Sequence, residues 1–131
     1  MIFVDTSFWV ALRNRRDGRH ELARALLESH QAEPLATTAH VCGETWTFLR
    51  RRAGHRAAVG FLDAVDRSPR VRLLPTPEDV EREALRWLRQ HDERPYSFVD
   101  AVSFATMRSL RLRRALALDG DFAAAGFEEL Q

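Results

Sequence analysis

The sequence predicts an α/β fold: a three-layer α/β/α sandwich around a central, mainly parallel sheet of four or five strands. Three observations predict it. Short apolar runs without polar alternation, Ile2–Val4 foremost, read as strands buried on both faces. Stretches with apolar residues at helical spacing separate them. The two kinds of segment alternate along the chain, as they do where helices cross between parallel strands. With 131 residues and no repeat, low-complexity segment or long linker, one domain spanning 1–131 is expected.

The first strand stops at Asp5, and Thr6 or Ser7 can cap the helix begun by Phe8, Trp9, Val10 and Leu12. Asp17 and Gly18 signal a turn, and a helix from His20 to about Gln31 follows, with Leu22, Leu26 and Leu27 on one face. Beyond Pro34, Leu35 to Thr37 reads as the second strand. Thr38 is placed to cap a helix from Ala39 to about Arg52 whose core face holds Val41, Thr45 and Phe48. Glu44 lies three residues after Val41 and four before Phe48, at the edge of that stripe, where an unpaired acid is costly. Gly54 interrupts, and Ala58, Phe61, Leu62 and Val65 mark the next helix.

Val71 to Leu74 reads as a strand stopped by Pro75. Thr76, Pro77 and Asp79 then match a cap, a first helical residue and a third-position acid, and Val80, Ala84, Trp87 and Leu88 continue the helix as one face. Asp92 to Tyr96 forms a loop, and Ser97 to about Leu110 a further helix. The last apolar run, Ala115 to Leu118, ends at Asp119-Gly120-Asp121, followed by a short helical turn from Phe122 to Ala125 that Gly126 breaks.

Composition narrows the chemistry. No apolar run approaches the roughly 20 residues that span a bilayer, and the start lacks the basic region of a signal peptide. Cys42 is the single cysteine, so no internal disulfide and no Cys/His zinc pattern is available. A cytoplasmic location with no membrane partner is the expectation. All 20 basic residues are arginine, against 19 acids. Coding bias accounts for the missing lysine, yet arginine's planar fork suits phosphate, so a nucleic-acid surface stays open.

Asp119 repeats the arrangement at Asp5, a short apolar run that stops at an acid. If both runs are neighbouring parallel strands, both carboxylates reach the same sheet edge, where open α/β sheets bind ligands. Each acid also has a plainer reading. Asp5 can be a strand-ending turn residue, Asp119-Gly120 a hairpin turn, and Asp121 the cap of the short helix after it. Asp100 can answer Ser97 in a capping box. Their meaning depends on Asp5, Glu44, Asp100 and Asp119 converging, for then mutual repulsion raises their pKa values and a cation is required. Oxygen-only ligands select Mg²⁺ or Mn²⁺ over zinc, and such an ion activates water and stabilises a departing oxygen at a phosphodiester.

Four pieces in this order carry a resemblance: Val4-Asp5-Thr6-Ser7 after an apolar start, Glu44 midway along the helix after the second strand, Ser97-Phe98-Val99-Asp100-Ala101, and Asp119-Gly120-Asp121-Phe122 followed by Gly126-Phe127. Over nearly its whole length the chain resembles the PIN-domain ribonucleases, specifically the compact VapC type that serves as the toxin of toxin–antitoxin pairs. The resemblance implies a PIN-like fold and a metal-dependent endoribonuclease that leaves 3′-hydroxyl and 5′-phosphate ends. It implies that Asp5, Glu44, Asp100 and Asp119 form the acidic Mg²⁺ or Mn²⁺ site. Asp121 would be an optional fifth acid, and Ser7, with Thr6 adjacent, would support the first. Ser97 supports Asp100 through the capping box. It further implies a homodimer and a cognate antitoxin occupying the acidic groove, with Trp9, Trp46 and Tyr96 as candidate contacts. One departure is Ala117, where many relatives carry threonine two residues before the fourth acid.

Arg50, Arg51 and Arg52 beyond Glu44, and Arg108, Arg111, Arg113 and Arg114 beyond Asp100, are candidates for steering RNA phosphates, with Arg50, Arg51, Arg108 and Arg111 foremost. The plainer reading is a set of solvated helix ends. Receiver domains and aspartate-nucleophile phosphatases are excluded because both use a lysine, and a P-loop because no Gly-Lys-Ser/Thr sequence exists. The remaining alternatives are a non-catalytic PIN-like module that binds RNA or protein, whose mark would be a missing acid, and a PIN nuclease outside any toxin–antitoxin pair.

Overall fold

A computed structural model describes residues 1–131. Its elements run β1 (Ile2–Val4), α1 (Thr6–Arg13), α2 (His20–Ser29), β2 (Leu35–Thr38), α3 (Ala39–Ala53), α4 (His55–Arg67), β3 (Val71–Leu74), α5 (Glu78–Gln90), α6 (Phe98–Ser109), β4 (Arg114–Leu116), α7 (Asp121–Ala124) and β5 (Glu128–Glu129). The five strands form one sheet in the order β3-β2-β1-β4-β5, and every pairing is parallel.

From β1 the chain steps through β2 to β3 on one side, then returns to β4 and β5 on the other. Right-handed crossovers therefore place α1 to α4 over one face and α5 to α7 over the other. Ile2, Phe3 and Val4 are wholly buried, as the central strand of such a sandwich must be. The point where the strand order reverses lies between β1 and β4, where Phe3 pairs with Ala115 and Val4 with Leu116. Crevices in open α/β sheets form beyond the carboxyl ends of strands at such a point.

Several local expectations change. Asp5 itself caps α1, its side chain accepting the Ser7 N–H, while Thr6 is the first helical residue. A carboxylate one residue earlier accepts the amide of the second helical residue, so the helix begins before either hydroxyl could cap it. Pro77 takes the capping position of α5 and the helix starts at Glu78; its extended ψ of 165° keeps it outside the helical turn. Asp121 opens α7 as its first residue, with Gly120 before it in a left-handed conformation at φ 85°. Leu22 of α2 is 49% exposed, because Ala23 and Leu26 form the buried stripe. In α3 the buried residues are Val41, Cys42, Thr45 and Leu49, and Phe48 is 40% exposed. β5, two glutamates long, carries no apolar pattern; its pairing with β4 holds it.

Candidate active site

Asp5 leaves the carboxyl end of β1, its N–H donating to the Leu116 carbonyl at 3.0 Å. Because β1 and β4 are parallel neighbours, the turn after β4 brings Asp119 to the same edge. Glu44 reaches it from the middle of α3 and Asp100 from the first turn of α6, two helices that pack against each other. The four carboxylates line one cleft of about 310 Å³, together with Thr6, Ser7, Val10, Arg19, Phe48, Arg52 and Ser97. Four larger grooves, among them one lined by Leu12, Glu21, Arg24 and Arg70 and another by Arg13, His20 and Glu21, contain none of these acids.

Asp5 is only 2% exposed. Its Oδ2 accepts the Ser7 N–H at 3.2 Å and the Ser7 hydroxyl at 2.8 Å, and Oδ1 has no partner. Ser7 Oγ also accepts the Leu118 N–H at 3.0 Å, so one hydroxyl fixes the acid and ties it to the chain leaving β4. Burial, then the nearby Asp119 carboxylate, push the Asp5 pKa up to about 7 despite the hydrogen bonds from Ser7.

Asp100 is both a capping-box residue and a cleft residue. Its N–H donates to Ser97 Oγ at 3.0 Å, and its Oδ2 accepts the Ser97 N–H at 2.9 Å. Burial raises its pKa to about 6, opposed by the Ser97 bonds and supported by Asp121 and Asp119. Asp119 is raised as well, mainly by burial, although its carboxylate accepts the Asp121 N–H at 3.3 Å. Glu44 is half-buried and makes no side-chain hydrogen bond or ion pair. Asp121 points elsewhere: its Oδ1 accepts from Arg94 Nε at 2.8 Å.

An all-oxygen set in which Asp5 and Asp100 are buried and the Asp119 carboxylate bears on both is the donor chemistry of a hard divalent cation. The unpartnered Asp5 Oδ1 fits such an ion, since a buried carboxylate oxygen otherwise goes without compensation. As the side chains stand, no three ligating groups are gathered closely enough to clasp one ion.

The arginines divide differently from expectation. Arg52 and Arg19 line the cleft; Arg52 lies over the Phe48 ring at 5.0 Å, and Arg19 donates to the Leu118 carbonyl at 3.0 Å. Arg50 and Arg51 are exposed on α3 outside the cleft lining. Arg108 and Arg111 lie at the far end of α6 from Asp100, lining a separate pocket, with Arg108 over the Trp87 and Phe127 rings. Phe48 and Arg52 stand four and eight residues after Glu44, so helical spacing already put them on its face; nothing local marked Arg19. The aromatic contacts proposed beside the site also change: Trp9 is buried against Phe61, Trp46 packs on His55, and Tyr96 packs on Trp87 and Phe104. Phe48 and Phe98 are the exposed aromatics instead.

Comparison with known proteins agrees with this architecture. The family model described as PIN domain matches residues 2–128. The chain is 53% identical over 131 residues, all of this chain and 98% of the relative, to the 23S rRNA-specific endonuclease VapC20 of Mycobacterium tuberculosis, in strains CDC 1551 / Oshkosh and H37Rv alike. The crystal structure of M. tuberculosis VapC20, described as a sarcin-ricin loop cleaving toxin, superposes with a TM-score of 0.94 at 52% identity, covering 99% of this chain and 98% of that one. A sheet that reverses at β1 and β4 beneath four converging acids, matched along nearly its full length, has one conclusion: this chain belongs to the PIN domain family.

Proposed function

We propose that this protein is a metal-dependent endoribonuclease whose substrate is the sarcin-ricin loop of 23S rRNA, acting as the toxin of a VapBC-type pair. The observation that carries the reading is the meeting of Asp5, Glu44, Asp100 and Asp119 in one cleft, with Asp5 Oδ1 buried and unpartnered. The 53% identity to a 23S rRNA-specific endonuclease supports the substrate.

These four acids would hold Mg²⁺ or Mn²⁺. When bound, such an ion supplies positive charge for the scissile phosphate and lowers the pKa of attacking water. Ser7 keeps Asp5 Oδ2 occupied while Oδ1 has no protein partner, and the capping box engages Asp100 Oδ2 through the Ser97 N–H. Thr6 adds a buried hydroxyl without a partner. Arg19 and Arg52 give the acidic cleft a basic margin that attracts the phosphate backbone, and exposed Phe48 offers a face for an unstacked base. By family resemblance the products carry 3′-hydroxyl and 5′-phosphate ends.

The same reading assigns the chain one catalytic domain over 1–131, a homodimer, and a cognate antitoxin that covers the acidic groove. No helix is long and apolar enough to cross a membrane, and a ribosomal target favours action in the cytoplasm. The test is cleavage of purified ribosomes by the wild type, Asp5→Asn and Asp100→Asn, with cut ends mapped. Cleavage confined to the sarcin-ricin loop, abolished in both variants and by chelator, is expected. Full activity in Asp5→Asn or in excess chelator overturns the mechanism; cuts elsewhere overturn only the substrate.

A further inference from the structure

Arg94 stands in the loop between α5 and α6 and reaches across to the turn after β4. One guanidinium there bonds two residues of that turn. Nε donates to Asp121 Oδ1 at 2.8 Å, and Nη2 donates to the Asp119 carbonyl at 3.3 Å. A Cβ on Gly120 would meet the same Nη2 at 3.4 Å, an ordinary contact, so the turn needs glycine for its left-handed φ of 85° and not for space beneath the arginine. Glu129 of β5 holds that turn from another side, accepting the Gly120 N–H at 3.1 Å and the Ala123 N–H at 3.3 Å.

We infer that Arg94 is a positioning residue for the metal site: it engages Asp121 as its counter-ion, keeps that carboxylate out of the ligand set, and holds Asp119 at the cleft. Asp121 is 18% exposed as a side chain and is absent from the cleft lining, whereas Asp119 lines it. Asp121 nonetheless stays next to the site, its N–H donating to the Asp119 carboxylate at 3.3 Å. Left unpaired, Asp121 would add a competing carboxylate beside Asp119. The pair thus fixes how many acids face the cation and where the last of them stands. Groups that orient ligands in this way commonly change metal affinity or activity by about 10- to 100-fold when removed.

This inference rests on the proposed metal site, and the test separates the two. Mn²⁺ binding to the whole protein without RNA is followed by electron paramagnetic resonance of the free ion, beside ribosome cleavage at saturating Mn²⁺. The proteins are wild type, Arg94→Ala, Arg94→Lys, Asp121→Asn and Asp119→Asn. Asp119→Asn should bind Mn²⁺ about tenfold or more weakly. Asp121→Asn should stay within about threefold of wild type, since asparagine still accepts the Arg94 hydrogen bond and the charge lost is one already paired with that guanidinium. Arg94→Ala should bind Mn²⁺ more tightly yet cleave about tenfold or more slowly, because a cation leaves, a carboxylate is freed and the Asp119 turn loosens. Arg94→Lys, keeping the charge without the fork, should recover wild-type affinity but only part of the rate.

Opposite movement of binding and rate is the signature, since a merely structural role would weaken both. Parallel loss of both in Arg94→Ala, or loss of Mn²⁺ binding in Asp121→Asn as large as in Asp119→Asn, overturns the inference. Unchanged Mn²⁺ binding in Asp119→Asn overturns the metal site itself.

Discussion

The Ser7 hydroxyl donates to Asp5 Oδ2 at 2.8 Å while accepting the Leu118 N–H at 3.0 Å, so a single side chain couples the ends of two adjacent strands to the acid between them. Ser7→Ala removes both bonds and leaves the Leu118 amide without its partner. The expected cost is about 1 to 3 kcal/mol of stability in denaturant titration. Ribosome cleavage should fall roughly 10- to 100-fold as Asp5 loses its orientation. Cleavage at the wild-type rate would show that Asp5 needs no such anchor.

Asp5 and Asp100 have pKa values raised to about 7 and about 6, from 3.8 in each case. An acid that is harder to ionise when folded binds more protons in the native than in the unfolded state between those values, so stability falls as pH rises through that window. Chelated protein should therefore melt at a lower temperature at pH 8 than at pH 5, and Mg²⁺ should restore the difference at pH 8. A melting temperature that rises with pH over this range would contradict the raised values.

Asp5→Asn should abolish cleavage and stabilise the chelated protein at pH 8. Ionising Asp5 there costs the fold on the order of 4 kcal/mol, at about 1.4 kcal/mol per pKa unit. Asparagine caps a helix about as well as aspartate and carries no charge, so a net gain of roughly 1 to 3 kcal/mol is expected, offset in part by burying its amide. Urea unfolding at pH 8 and pH 5 measures it, and the gain should shrink at the lower pH.

Arg52 and Phe48 form the basic, aromatic margin of the cleft. Arg52→Ala should raise KM several-fold with kcat nearly unchanged and reduce the salt dependence of RNA binding by the equivalent of about one phosphate contact. Phe48→Ala should weaken binding by about 1 to 3 kcal/mol if a base stacks there. The expected contrast is Arg50→Ala and Arg108→Ala, whose side chains stand outside the cleft, leaving KM within about twofold. A fall in kcat alone for Arg52→Ala would move that residue from binding to chemistry.

The local code was readable where one rule governs a short stretch. Three unbroken apolar residues announce a buried strand, Thr38 caps α3 through its bond from Val41 N–H, and Ser97 with Asp100 makes the capping box seen in the structure. It failed where two rules compete. Leu22 and Phe48 sit at positions that helical spacing alone assigns to a core face, but Ala23 and Leu49 pack there instead, because burial is settled by what lies opposite. Trp9 likewise gave way from a surface role to the core beside Phe61.

By itself the sequence determined the order of strands and helices as far as β4 and the short helix after it, and four acids each set at an element end or on a helix edge. Hydrogen-bonding range and apolar periodicity are local, so a linear reading reaches them. Only the tertiary structure decided that β4 lies beside β1, which brings Asp119 to Asp5 across a separation of more than a hundred residues. It alone admitted Arg19 to the cleft and turned Asp121 away toward Arg94. Carboxylate repulsion, desolvation and counter-ion pairing act through distance in space, and no pattern along the chain fixes that distance until the sheet has closed it.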